Sequence, residues 1–240
     1  MAFLQSAPPR QPIFRAPPVV LWLIGILVAA HVGRILAPPD MAQAIVNAYA
    51  FVPARYSHGF LLAHMGQAGT FWDQVVPFVS YMGLHEGFTH LAVNCLWLLA
   101  FGPIVARRFG GTLFLLFFVV TGVAGAATYL AFNWGSPVPM VGASGAISGL
   151  MAAGIRMLPQ MVPWAIPGEA PLAPIFSRQI LAFTAIWAGI NLVVGLTGLG
   201  TGVDAGAIAW QAHLGGFVVG LVLCGAFDRL RPRTAGLPLE

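Results

Sequence analysis

A chain of 240 residues that is 58% hydrophobic and 8% charged has too few polar groups to cover a water-facing surface, which excludes an ordinary soluble domain and makes lipid its solvent. Its net charge of +4 rests on 11 basic residues, all arginine and without clusters of the phosphate-gripping kind, so nucleic acid is not an expected partner.

Uncharged stretches near the ~20 residues needed to cross ~30 Å of hydrocarbon recur six times. The first runs from Val19 to Leu36, where Pro38 and Pro39 end it. It follows a proline-rich segment without an evident cleavage signal and reads as a retained helix rather than a signal peptide. From Asp40 to Leu84 charged residues and histidines alternate with Tyr49, Phe51, Phe60, Phe71, Trp72 and Phe78, the composition of short amphipathic pieces lying among headgroups. The remaining spans are expected at Gly87–Val105, Thr112–Phe132, Val141–Leu158, Gln179–Leu199 and Gly206–Phe227. Turns fall at Gly110-Gly111, Asn133–Met140, Pro159–Pro174 and a glycine-rich loop, Gly198–Gly206, that is expected to cap the site. Cys95 and Cys224 sit inside apolar runs and read as packing residues.

An even number of spans puts both termini on one side. If that side is cytoplasmic, it holds Arg10, Arg15, Arg107, Arg108, Arg156, Arg178, Arg229, Arg231 and Arg233, leaving only Arg34 and Arg55 outside, as the positive-inside tendency requires. The expected organisation is a cytoplasmic tail over residues 1–17, a six-helix domain over 18–228 and a cytoplasmic tail over 229–240.

Polar residues at membrane depth are costly, so the few that remain call for a reason. Gly142-Ala143-Ser144-Gly145 opens the fourth span, where Ser144 would sit among unpaired N–H groups at the positive end of a helix, a setting that stabilises an oxyanion. The glycines leave room for a substrate backbone. The bland alternative is close helix packing through Gly145-x-x-x-Gly149 and Gly216-x-x-x-Gly220. At the start of the second span, His90 and Asn94 are one turn apart, within about 40° around the helix, and can donate to one oxygen. His85 points elsewhere and reads as a structural anchor for the preceding loop. Zinc ligation by the two histidines is poorly supported, because their five-residue spacing is wrong for one helical face and Glu86 stands alone; no metal is expected. In the last span, His213 precedes Gly215-Gly216, so close packing of the sixth helix on the fourth would bring imidazole to hydroxyl; alone, such a histidine is more often a buried hydrogen-bonding residue.

These groups, in this order on the second, fourth and sixth spans, resemble the rhomboid family of intramembrane serine proteases. The likeness covers Gln74 to Arg229 and includes HEGFTHLAVN, Phe101-Gly102, the GASG around Ser144 and the AHLGG around His213. It implies an all-α bundle of six transmembrane helices with a long interfacial loop between the first two. It implies Ser144 as nucleophile and His213 as base in a dyad without aspartate, an oxyanion hole of His90, Asn94 and the Ser144 N–H, and supporting roles for His85, Gly142, Gly145 and Gly216. It further implies no cofactor, a bacterial inner-membrane location, and protein substrates whose transmembrane helix enters from the bilayer beside the fifth helix and is cut after a small residue. The chain departs from common family patterns in three places. Ser148 stands where many members place an aromatic residue against the histidine, so another ring is expected to hold it. Ala106 replaces a glutamate, and a Trp-Arg pair in the first loop is not evident. A catalytically silent rhomboid-like protein that binds membrane helices is the alternative within the resemblance; a small-solute transporter would bring an inverted repeat, of which the halves give no convincing sign.

Overall fold

The computed structural model describes residues 16–57, 59, 71–158, 170–198 and 209–231, and these form a helical membrane bundle. Helix α1 (Pro18–Leu36) starts on a proline, whose missing N–H costs nothing in a first turn, and ends at Ala37, held extended by the proline that follows it. Pro38 and Pro39 do more than stop it: Pro39 is the first residue of α2 (Pro39–Tyr49), so the pair converts one helix into another within two residues. The rest of the described first loop is short pieces, 3₁₀ turns at Pro53–Tyr56 and Tyr81–Gly83 and the helices α3 (Phe71–Val75) and α4 (Pro77–Ser80).

Helix α5 (Phe88–Phe109) carries Pro103 in its interior and continues four residues past the expected end at Val105. One residue, Gly110 at φ +80°, joins it to α6 (Gly111–Phe132). Helix α7 (Ser144–Met157) is shorter than the expected Val141–Leu158, because Gly142 takes a positive φ that no helix accommodates. Helix α8 (Arg178–Thr197) ends on Gly198 in the left-handed conformation, and α9 (Trp210–Leu230) is the last among the described residues. The turn at 159–169, the glycine-rich cap after Gly198 and the expected start of the sixth span at Gly206 lie outside the described residues.

Among the described residues five helices, α1, α5, α6, α8 and α9, are long and apolar enough to cross a membrane. The sixth, α7, has 14 residues, about 21 Å at 1.5 Å per residue, and falls short of the hydrocarbon thickness. It is nevertheless the centre of the bundle: Gly145 to Met157 are all buried, and α5, α6 and α9 pack around it. Small residues set these distances. A Cβ on Gly220 would lie 2.5 Å from the Gly149 carbonyl oxygen, and one on Gly216 would lie 2.8 Å from the Gly145 carbonyl carbon, so α7 and α9 touch backbone to backbone. By contrast α8 is scarcely buried and packs mainly on α9.

At the end of the bundle away from Ser144, two arginines tie elements together as well as setting charge. Arg108 donates from Nε and Nη2 to the two carboxylate oxygens of Asp228 at 2.6 and 2.9 Å, and buried Arg156 donates to the carbonyls of Ala173 and Leu221. Cys95 and Cys224 are free thiols, half-buried and buried.

Candidate active site

The segment before α7 is held from the first-loop side. Phe51 and Met140 exchange backbone hydrogen bonds of 3.0 and 2.7 Å, and the Gly142 N–H donates to the Tyr81 carbonyl at 2.9 Å. Tyr81 is buried and donates its hydroxyl to the Gly122 carbonyl of α6, so this clamp rests on the bundle core. Gly142 is required on two counts. Its φ is +116°, and a Cβ there would come 2.7 Å from His90 Nε2. The chain then enters α7 at Ser144 with its hydroxyl partly accessible.

His213 lies in the first turn of α9. Its Nε2 is 2.7 Å from Ser144 Oγ, and the packing that allows this is the Gly145–Gly216 and Gly149–Gly220 contact. Two residues 69 positions apart, one hydroxyl and one imidazole, thus form a hydrogen-bonded pair that is partly exposed and not sealed. His90 lies against Gly142, on the side where a Cβ would also approach Ser144 Oγ. Asn94, one turn further along α5, is buried; its Nδ2 donates to the His90 carbonyl at 2.9 Å, which leaves its second N–H for another acceptor.

His85 is buried beside these residues. Its carbonyl accepts a hydrogen bond of 2.9 Å from Arg34 of α1, and its ring stands 5.2 Å from that of His90 and 6.4 Å from that of His31. Burial first, and then the neighbouring His90 and His31, pull the His85 pKa down to about 4, so the ring is neutral at physiological pH. His31, fully buried on α1 and stacked edge-on against Phe88, is a neighbour the sequence reading passed over.

The expectation of a ring beside His213 is corrected. Among the described residues no aromatic side chain stacks on it. Instead Nδ1 meets the Asn191 Oδ1 of α8 at 2.8 Å. Ser148, four residues after Ser144, turns its hydroxyl back to the Ser144 carbonyl at 2.8 Å. Asn191 was missed although it is a polar residue in the middle of an apolar span; the cost argument that singled out His90 and Asn94 applies to it equally.

Comparison with known proteins adds independent information. Residues 72–228 match the family model for the Rhomboid domain. The chain is 30% identical over 169 residues to Rhomboid protease GluP of Bacillus subtilis (strain 168), an alignment covering 67% of this chain and 28% of that protein. It is 34% identical over 183 residues to Rhomboid protease AarA of Providencia stuartii, covering 70% of this chain and 60% of that one. RHOMBOID-like protein 5 of Arabidopsis thaliana is 27% identical over 256 residues, covering 94% of this chain and 74% of the relative. The chain therefore spans less than two thirds of the length of the first two. Because the domain match takes in well over half of the residues, and with them the whole stretch from α3 through most of α9, the chain belongs to the rhomboid family.

Proposed function

We propose that the chain is an intramembrane serine endopeptidase that hydrolyses peptide bonds in or near the transmembrane segments of other membrane proteins. The observation that carries the reading is the 2.7 Å contact between Ser144 Oγ and His213 Nε2 at the partly exposed start of a buried helix. In this reading Ser144 Oγ attacks the scissile carbonyl as Nε2 of His213 takes its proton. The negative charge that develops on the carbonyl oxygen falls at the N-terminus of α7, within reach of the Ser144 N–H, with His90 and the free N–H of Asn94 as further donors. His213 then returns the proton to the leaving amine, and the acyl-enzyme is released when water attacks with His213 again as base.

The substrate helix would enter from lipid beside α8, the helix that packs most loosely on the bundle, and unwind locally to present its backbone. The arginine distribution supports cytoplasmic termini flanking a domain over residues 18–228, with the site toward the outer face of a bacterial inner membrane.

The test is cleavage of a single-pass model substrate by the full chain in detergent, paired with labelling by a fluorophosphonate. Ser144→Ala and His213→Ala are expected to abolish cleavage, and Ser144→Ala to abolish labelling, with melting temperatures near wild type. Cleavage retained by either variant would refute the pair as the catalytic centre, and an inert wild type would favour a helix-binding protein without protease activity.

A further inference from the structure

The reading of Ser144 and His213 as nucleophile and base leaves one atom of the imidazole unexplained, and the structure gives it a partner. A neutral imidazole carries one N–H and one bare nitrogen, and only the form with the bare nitrogen at Nε2 can accept the proton of Ser144. Which form is present is set by what faces Nδ1. That neighbour is the Asn191 amide, and the amide's own orientation is fixed. Its Nδ2 donates to the Trp187 carbonyl at 2.9 Å, one turn earlier on α8, which turns Oδ1 toward His213 at 2.8 Å. Reversing the amide would press Oδ1 against the Trp187 oxygen and surrender this bond, so the network selects a single arrangement. Toward His213 the amide therefore presents only an acceptor, Nδ1 must carry the hydrogen, and Nε2 is left bare against Ser144.

The meeting of Asn191 and His213 is built into the register of two antiparallel helices. Four residues before Asn191, Trp187 stacks on Phe217, four residues after His213, with ring centroids 4.1 Å apart and planes within 16°. Four residues after Asn191, Gly195 leaves space for Trp210; a Cβ there would fall 2.7 Å from the Trp210 Cβ. Rungs 187/217, 191/213 and 195/210 thus lie in sequence along one seam. The stacked ring below and the Trp210 side chain packed onto Gly195 above hold α8 at the height where amide meets imidazole. A polar residue on a lipid-bathed helix whose only described side-chain partner is His213 has little structural work of its own to do.

We propose, resting on the protease reading, that Asn191 is a positioning residue that completes a Ser144–His213–Asn191 relay from α8, fixing the tautomer and ring orientation of His213. Being neutral, the amide orients the imidazole without adding charge. This distinguishes it from the carboxylate of soluble serine proteases, which also stabilises the imidazolium.

The experiment uses the full chain in detergent with a single-pass substrate and a fluorophosphonate probe. Asn191→Leu keeps the volume and removes the acceptor. Its expected kcat is about 10- to 100-fold below wild type, with KM within about twofold, the probe reaction slowed by a similar factor and an unchanged melting temperature. Asn191→Asp restores an acceptor and is expected to recover most of the loss. In histidine-labelled protein, the ¹⁵N signals of His213 should report Nδ1–H in wild type and a shift toward Nε2–H in Asn191→Leu. A leucine variant with wild-type kcat and probe rate, or with the native tautomer retained, overturns the role of Asn191 while leaving Ser144 and His213 in place. A leucine variant whose loss tracks a lowered melting temperature, without recovery by aspartate, overturns it in favour of packing. A wild-type chain inert to substrate and probe removes the protease reading itself and Asn191 with it.

Discussion

Adding one methyl group at Gly216 tests whether the Ser144–His213 contact depends on how closely two backbones approach. A Cβ at this position would lie 2.8 Å from the carbonyl carbon of Gly145 and closer still to its oxygen, and neither atom belongs to a side chain that can swing aside. Restoring an ordinary carbon–carbon separation of about 3.5 Å requires α9 to move away from α7 by at least about 0.7 Å. Carried to the neighbouring turn, that displacement stretches the 2.7 Å hydrogen bond between Ser144 and His213 to about 3.4 Å, the edge of what counts as a bond. The expected result for Gly216→Ala is a stability loss of about 1–3 kcal/mol from overpacking and a fall in kcat of about 10²-fold from misplacement of the base. Gly225→Ala is the control. It sits on the same helix, where the nearest atom to a new Cβ is Arg156 Nη1 at 3.9 Å, and should leave both quantities within error of wild type. Thermal unfolding in detergent and initial rates of substrate cleavage measure the two effects. Gly216→Ala with wild-type kcat and melting temperature would refute the claim that backbone contact between α7 and α9 sets the geometry of the pair.

Two further outcomes follow from groups away from Ser144. Asp228→Ala leaves Arg108, whose side chain is 6% exposed, without its bidentate partner, and should cost about 2–3 kcal/mol in thermal unfolding while changing cleavage at permissive temperature less than twofold. Because the His85 pKa lies at about 4 in the folded chain against 6.5 in the unfolded one, the unfolded state binds more protons between those values; stability should therefore decline as pH falls from about 6.5 to about 4, by no more than about 3 kcal/mol from this group, and His85→Gln should flatten that part of the profile.

Apolar run length and breakers made most of the fold legible, because in lipid a helix is the only way for an isolated segment to satisfy its backbone. Where expectations and helices part, a local cause is visible. The second helix runs past Val105 because Arg107 and Arg108 continue it into a region where Arg108 finds Asp228, a tertiary partner 120 positions away. The fourth begins at Ser144 rather than Val141 because hydropathy does not register the positive φ of Gly142, which is fixed by Tyr81 and by the approach of His90. The arginines read as orientation signals, yet Arg108 and Arg156 are also buried hydrogen-bond donors, a role that charge counting cannot see.

In the candidate site, the residues picked out by cost at membrane depth were those flanked by glycine or repeated at helical spacing. Asn191 has Gly189 two residues before it, as His213 has Gly215 two residues after, but no second polar residue at helical spacing. It is a lone amide in Ala-Gly-Ile-Asn-Leu-Val-Val, and nothing local tells it apart from the asparagines that merely bond back to their own helix, as Asn133 does to Tyr129. What distinguishes it is register between two helices, and register is a property of the pair. The same holds for Ser144 and His213, whose separate motifs each had an ordinary packing explanation. The close α7–α9 approach at Gly145, Gly149, Gly216 and Gly220 is what brings Nε2 to within 2.7 Å of Oγ, so the packing motif also sets the geometry of the pair. The packing reading of those motifs therefore does not exclude the functional one.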